Sequence, residues 1–344
     1  MKLVVVIFAV CCTLVNVPNA STQVVDLKMD FQTNSVMQLD QASDGTIWGI
    51  TSSNIDRLPT IAGVWSVRST NGGTSWDTAC ITDNWWRWGV DIAAVSATTA
   101  YAVTMREDTI ELYRTTDGRK WNAVSASNVG LDNIMAVHFF NERIGFIIGT
   151  QGRKIERKFI VSRTSDGGAT WQASLPLLPD PPTEVLADMN DRAVCWKGAT
   201  VCVGMNTGRI LVTHDSAQTW KFIRTPLRTI NAITLITENG QQTMCAYHTQ
   251  ADGTVRAFSS NDDKTWTNAP LPPNVKKVYG ARELADGKWV SIPRSLFNAG
   301  SVDLQTGVPV PVPQGCDALL PIRGGVLCSQ ELFLGKGLVR IELH

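Results

Sequence analysis

The residues with the most chemistry to offer are arginines. Arg57, Arg87, Arg106, Arg153, Arg157, Arg224, Arg228 and Arg294 fall in segments that read as loops, beside Asp56, Asn84, Glu107, Asp108, Lys154, Lys158 and His248. A guanidinium group is a rigid fork of donors that matches a carboxylate, so several brought to one surface suit an anionic ligand. Left apart, they are solvated loop charge. Trp85, Trp86 and Trp88 flank Arg87. Three indoles so close together suit a stacking platform for a sugar or for a partner's apolar surface. They also suit the filling of a crevice between neighbouring elements. A mixed outcome is expected, with Trp86 or Trp88 buried and at least one indole exposed.

Cysteine is the second reactive type. Cys11 and Cys12 lie in the leading apolar segment, and Cys80, Cys195, Cys202, Cys245, Cys316 and Cys328 follow it. An even number in an exported chain suggests disulfides. Cys195–Cys202 and Cys316–Cys328 each bracket a strand-turn-strand pattern, and Cys80–Cys245 is left by elimination. Buried free thiols are the alternative. No Cys-x-x-Cys occurs, and His138, His214, His248 and His344 lack ligand spacing, so no metal or cofactor is expected. Nucleophile-elbow, phosphate-loop and zinc-protease patterns are missing as well.

Bulk properties narrow the partners. The 31 basic and 31 acidic residues cancel, which argues against nucleic acid or an anionic membrane. Residues 1–20 read as an export signal: Lys2, an apolar run from Leu3 to Val15, and Ala20 at the expected cut. The mature chain is then secreted, or periplasmic in a bacterium. No second long apolar run follows, so no transmembrane anchor is expected. No Asn-x-Ser/Thr sequon lies beyond that cut.

The elements that position these residues are repetitive. Five copies of one phrase end at Trp76, Trp121, Trp171, Trp220 and Trp266, with intervals of 45, 50, 49 and 46 residues. The pattern is Ser/Thr-x-Asp/Asn-x-Gly-x-Thr-Trp, with the second copy one residue short. Around the third copy, Ile134–Phe140, Ile144–Gly149 and Phe159–Arg163 read as strands, and Trp171–Ser174 opens a fourth. Four short strands per unit, with no helical periodicity, describe a β-propeller blade. Units of this length fit residues 21–344 about seven times. The expected fold is therefore all-β: one seven-bladed β-propeller, with six blades as the alternative. Residues 317–343 offer only three strands, so a strand at residues 24–29 is expected to complete that blade and remove its exposed edge.

The phrase itself reads as scaffold. Asn71, Asp117, Asp166, Asp215 and Asn261 can bond backbone N–H groups and fix the turn, while the five tryptophans pack and find a carbonyl. These phrases resemble the Asp-box, or BNR repeat, of sialidases, sortilin-type receptors and secreted propellers. The fuller unit, Arg143–Gly152 followed by Arg163–Trp171, is similar to that of the Ycf48/HCF136 family of photosystem II assembly factors. The resemblance covers residues 40–270 and implies the propeller. It leaves function open, because Asp-boxes occur in enzymes and in binding proteins.

Since the phrase joins the third and fourth strands, all copies lie on one face, and the arginines and Trp85–Trp88 belong to the other. The expected function is a secreted, non-catalytic propeller that binds a protein or glycan, anionic in character, through that loop face. The alternative is a sialidase-like glycoside hydrolase. That resemblance implies an arginine triad for the substrate carboxylate and a tyrosine nucleophile, and it would place Arg57 and Tyr279 in those roles. Two departures weigh against it. Arg57 stands 12 residues before the first phrase, closer than that family's spacing, and is preceded by Asp56 where an aromatic residue belongs. The oligomeric state is open.

Overall fold

A computed structural model describes residues 20–25, 34–53, 63–84, 86–106, 109–124, 129, 131–151, 158–173, 193–273, 275, 278, 281–283, 289–291, 301–302, 304, 309–310, 316–322, 325–330 and 338–343. Strand β1 (Ala20–Val25) opens it. The first meander is β2 (Asn34–Gln41), β3 (Ile47–Ser53), β4 (Val64–Ser69) and β5 (Asp77–Thr82). The second is β6 (Trp88–Ala94), β7 (Ala100–Arg106), β8 (Thr109–Thr115) and β9 (Trp121–Val124). The third is β10 (Asn133–Phe139), β11 (Gly145–Gln151), β12 (Lys158–Thr164) and β13 (Gln172–Ala173). The fourth is β14 (Val194–Lys197), β15 (Thr200–Gly204), β16 (Arg209–Thr213) and β17 (Lys221–Arg224). The fifth is β18 (Ala232–Glu238), β19 (Gln241–Thr249), β20 (Val255–Ser260) and β21 (Thr267–Asn268). Two hairpins follow, β22 (Ala281–Glu283) with β23 (Trp289–Ser291), and β24 (Ser301–Val302) with β25 (Pro309–Val310). The closing sheet holds β26 (Cys316–Ile322), β27 (Gly325–Gln330) and β28 (Leu338–Leu343), and β1 completes it beside β28.

Among the described residues every pairing is antiparallel, and each meander adds its strands in chain order. In the third and fourth meanders the second strands are the most buried. All five residues of β15 are buried, as are six of seven in β11, whereas β17 alternates toward solvent. Near-continuous apolar runs such as Gly145-Phe146-Ile147-Ile148 are what a strand covered on both faces requires. The core accordingly lies between sheets. Trp48, Ile50 and Val64 of the first meander pack with Ile92, Ala102 and Trp121 of the second. Tyr101 and Leu112 pack with Phe139, Ile147 and Trp171, and Phe146 and Val161 with Val203 and Leu211. The first strands of the first and second, second and third, and fourth and fifth sheets stand side by side, and the third and fourth sheets share a core. β22 stands beside β18 and β26, and β26 stands beside β2, so the sheets form a closed circle.

The closing sheet has three strands from the C-terminal region and one from the N-terminal region. β1 pairs with β28 from Ala20 opposite Leu343 to Val25 opposite Leu338. It starts earlier than the expected residues 24–29, of which 26–29 lie outside the described residues.

The repeated turns hold themselves together as their composition requires. In the third copy Thr164 Oγ1 accepts from Gly168 N–H at 2.8 Å and donates to Asp166 Oδ1 at 2.8 Å. Asp166 also accepts from the Thr170 backbone and hydroxyl at 2.9 and 2.6 Å. Those bonds, from the Thr170 hydroxyl first, hold the Asp166 carboxyl at about 2. The fifth copy corrects the sequence reading. Asp262, not Asn261, accepts from Lys264 and Thr265 N–H, at 2.9 and 2.7 Å, and from the Ser260 hydroxyl. This copy is therefore one residue short, like the second. The three longer copies carry two consecutive left-handed residues: Gly72 and Gly73, Gly167 and Gly168, Ser216 and Ala217. The short ones carry one each, Gly118 and Asp263. A Cβ at Gly118 would lie 1.7 Å from the Arg68 guanidinium, so that glycine is required for contact as well as for φ.

The tryptophans also depart from expectation. Trp76 and Trp171 donate to the Gly73 and Gly168 carbonyls, but Trp121 donates to the Ser66 hydroxyl, and the buried N–H groups of Trp220 and Trp266 have no acceptor.

Candidate functional site

The strand ends define the loop face. Trp88 begins β6 opposite Met105, and Arg106 ends β7 opposite Thr109, so the entry loop and the second-to-third-strand loop share one end of the sheet. On this end of the second meander, Trp86 and Trp88 are both exposed, at 48% and 37%. The expectation that one of them would be buried is not met. Neither ring sits in the core cluster that joins the first two meanders, which is already filled by Trp48 and Trp121. The Arg106 guanidinium lies 6.0 Å from the Trp86 ring centroid, a cation–π contact that presents the indole at the surface. Arg87 is buried. It pairs with Glu111 and donates to the Thr109 carbonyl, and this charge-neutralised contact withdraws it from ligand binding. Arg57, Trp85, Arg153, Arg157, Tyr279 and Arg294 lie outside the described residues.

A denser cluster stands where the fourth and fifth meanders meet. Arg209 and Arg224 are direct cross-strand partners on β16 and β17, like charges that repel. Arg209 stacks on Phe222 at 4.2 Å. Four residues after Arg224, the chain reaches exposed Arg228 in the crossing to the fifth meander. There His248, near the end of β19, is paired in register with Arg256 on β20. Burial first, and then the charges of Arg228 and Arg256, lower the His248 pKa. Its Nδ1 lies 3.2 Å from Asn231 Oδ1. Among the described residues, neither Arg228 nor Arg256 has an ion-pair partner. Sequence reading singled out Arg224, Arg228 and His248 but missed Arg256 and Arg209, which lie inside strands. Only pairing register shows that they reach the same end.

Arg256 also borders a cleft of about 740 Å³. Asp252, Gly253 and Thr254 form one wall, and the segment Pro270-Leu271-Pro272-Pro273 forms the other, with Val275 at its end. The loop wall is firm: Gln250 N–H donates to Thr254 C=O at 2.8 Å, and Asp252 Oδ1 accepts from Thr254 N–H at 2.8 Å. Apolar prolines beside the Arg256 guanidinium, which has no ion-pair partner among the described residues, suit an extended segment that carries negative charge.

The opposite face contains what the sequence reading passed over. Arg68, Arg114 and Arg163 each stand directly before a phrase and reach the neighbouring sheet. Arg68 Nη1 donates to Ala97 C=O at 2.9 Å, and Arg163 Nε to Ser216 C=O at 3.1 Å. Arg114 lies 3.9 Å from Glu142 and over the Tyr101 ring. The recurring Arg-Ser/Thr before the phrase was the available signal. Cysteine placement supplies a second correction. Cys80 is on β5 of the first meander and Cys245 on β19 of the fifth, so sheets intervene both ways round the circle and the two cannot bond. Cys80, Cys195, Cys202 and Cys245 are thiols, so the expected Cys195–Cys202 bond is not formed in this structure either. The side chains of Cys316 and Cys328 lie outside the described residues; their backbones are offset, Cys316 facing Gln330 and Cys328 facing Leu319.

No protein-family model matches this chain, and no curated protein does. Solved structures do. A Ycf48 bound to a D1 peptide is 12% identical over 96% of this chain and 98% of its own, with a TM-score of 0.61. A virginiamycin B lyase from Staphylococcus aureus is 9% identical over 94% and 100%, with a TM-score of 0.60. A GH74 xyloglucanase from Xanthomonas campestris is 11% identical over 93% of this chain and 53% of its own, at 0.51. At such identities the likeness speaks for the fold alone, and that fold is a β-propeller.

Proposed function

We propose that this chain is an exported, non-catalytic propeller of seven blades with Asp-box turns, and that its loop face holds an acidic segment of a partner protein. The observation that carries the binding reading is the Arg228–His248–Arg256 cluster beside the proline-lined cleft. Positive charge without an acidic partner is costly to hold together unless a ligand neutralises it. Exposed Trp86 and Trp88 offer an apolar second contact on the same face. The Ycf48 structure holds a D1 peptide, which supports a peptide as the class of ligand for this architecture. Seven blades are supported by the two hairpins between the fifth meander and the closing sheet. β22 packs against β18 and β26, and Leu304 N–H donates to Trp289 C=O at 2.7 Å, which ties the second hairpin to the first. The Asp-box reading rests on the Thr-Asp-Gly bonding repeated in the turns.

Fluorescence anisotropy with labelled 12-residue acidic, neutral and basic peptides tests this. The acidic peptides should bind, more weakly as salt rises. Arg228→Glu with Arg256→Glu should weaken binding at least about tenfold, or 1.4 kcal/mol. Equal binding of all three classes, or no response to the double charge reversal, would sink the reading. Turnover of a fluorogenic sialoside would replace it with the hydrolase alternative.

A further inference from the structure

Three thiols meet in one core cluster between the fourth and fifth meanders. Cys195 on β14 and Cys202 on β15 are directly opposite in the antiparallel register, and they are 5% and 0% exposed. Cys245, on β19 of the next sheet, is 7% exposed and belongs to the same cluster. Among the described residues no group of three metal-ligating side chains is arranged to hold an ion. Opposed residues on antiparallel strands have Cα atoms about 4.5–5.5 Å apart, which lies within the span a disulfide bridges. Cys245 is across a sheet interface from Cys195, with no such register to align it.

We propose that Cys195 and Cys202 are an oxidation site that closes into a cross-strand disulfide while the chain folds, that Cys245 stays a thiol, and that the finished propeller seals whichever redox state it folded in. The hairpin is local. Only Gly198 and Ala199 separate β14 from β15, and Gly198, at φ 61°, occupies the first central place of a two-residue turn as the type II′ geometry demands. The two thiols therefore meet before any neighbouring sheet is needed. A low-molecular-weight disulfide such as oxidised glutathione supplies the oxidising equivalents. One cysteine thiolate attacks its S–S bond and expels one glutathione thiolate, which takes up the proton released. The second cysteine then attacks the mixed disulfide and expels the other. Two electrons pass from the cysteine pair to glutathione, one protein S–S bond forms, and two reduced glutathiones leave.

Sealing follows from burial. Exchange needs a thiolate and access. Burial first, and then contact with Cys195, raises the Cys202 thiol, and burial raises that of Cys245. Neither is a ready nucleophile once the fifth meander has docked.

Trypsin separates the three thiols cleanly, because Cys195 falls in residues 193–197, Cys202 in 198–209 and Cys245 in 229–256. Reduced, urea-unfolded protein is refolded with oxidised and reduced glutathione, alkylated after denaturation, digested and mapped by mass spectrometry. The expected product joins 193–197 to 198–209, two hydrogens lighter than the separate peptides, with Cys245 alkylated, and Cys245→Ser leaves it unchanged. A link from either peptide to 229–256 as the main product, or no link after oxidative refolding, would overturn the pairing. In a second arm, folded reduced protein is held with oxidised glutathione. It should remain reduced at least ten times longer than unfolded protein, and closure at a similar rate would overturn the sealing.

Discussion

Ser66 and Ile210 occupy the same place in two sheets, three residues before the first hydroxyl residue of their phrases. The facing indoles fare differently. Trp121 donates to Ser66 Oγ at 3.0 Å, whereas Trp266 packs against the cluster that contains Ile210 and its N–H has no acceptor. Both belong to the short copies of the phrase, in which the turn does not bring its own glycine carbonyl to the indole. Ser66→Ala should strand the Trp121 N–H and cost about 1–3 kcal/mol. Trp266→Phe should cost less than Trp121→Phe, since no hydrogen bond is lost. The urea midpoints of the three variants check this, and an unchanged midpoint for Ser66→Ala would refute the pairing. In the second copy the shorter turn thus goes with an indole hydrogen bond to the neighbouring sheet in place of one within its own turn.

Sheets in this protein are joined through polar groups at their inner edges as well as through apolar faces. Asp40 Oδ2 accepts from Ala94 N–H at 2.8 Å, and Asp91 Oδ2 from Val137 N–H at 2.7 Å, each across one sheet interface. Trp48 Nε1–H and Tyr101 O–H make the matching links to Ser96 and Glu142 carbonyls at 2.9 and 2.8 Å. The closing sheet depends instead on β1, whose pairing covers an otherwise open β28 edge. Removing residues 21–25 from the exported chain should expose that edge. A melting temperature lowered by about 5–10 °C is the expected result. Scanning calorimetry of the truncated chain at several concentrations checks it, because the freed edge should also promote concentration-dependent association.

Taken whole, the molecule is a circle of interfaces in which each sheet is stabilised by its neighbours. That makes it sensitive to protonation at any one interface. His138 is packed among Phe140, Phe146 and Trp196, with the Trp196 ring stacked at 4.6 Å. Burial holds its pKa near 3, against 6.5 for the free imidazole. A folded pKa below the unfolded one means that the neutral form is the stable one. Its contribution is intact above pH 6.5 and is lost as pH falls toward 3. Between pH 7 and 5 the loss should be about 2 kcal/mol. Below pH 4 the turn carboxylates add to it in the same direction. Asp117, Asp166, Asp215 and Asp262 all have lowered pKa values, so their stabilisation is present above the carboxylate range and lost below it. Urea midpoints between pH 4 and 8 should fall steadily on the acid side. His138→Phe should flatten the curve between pH 5 and 7, and a variant curve parallel to the parent's would count against the assignment.

The four-stranded antiparallel unit, its strand order and the local bonding of the repeated phrase were legible in the sequence, because a turn is built from residues adjacent in the chain. The side-chain bonds of Thr164, Asp166 and Thr170 span only 2–4 residues. Even there, the turn residue of the fifth copy differs by one position from the sequence pattern, since Asn261 and Asp262 both offer a side-chain oxygen and only the backbone conformation chooses between them. Tertiary structure alone decided the rest. It removed Arg87 from the binding face by pairing it with Glu111, separated Cys80 from Cys245, and brought Arg256 to His248 and Cys245 to Cys195. Those relations join residues far apart in the chain or hidden within strands. They depend on register and on which sheet stands next to which, and a repeating sequence carries neither.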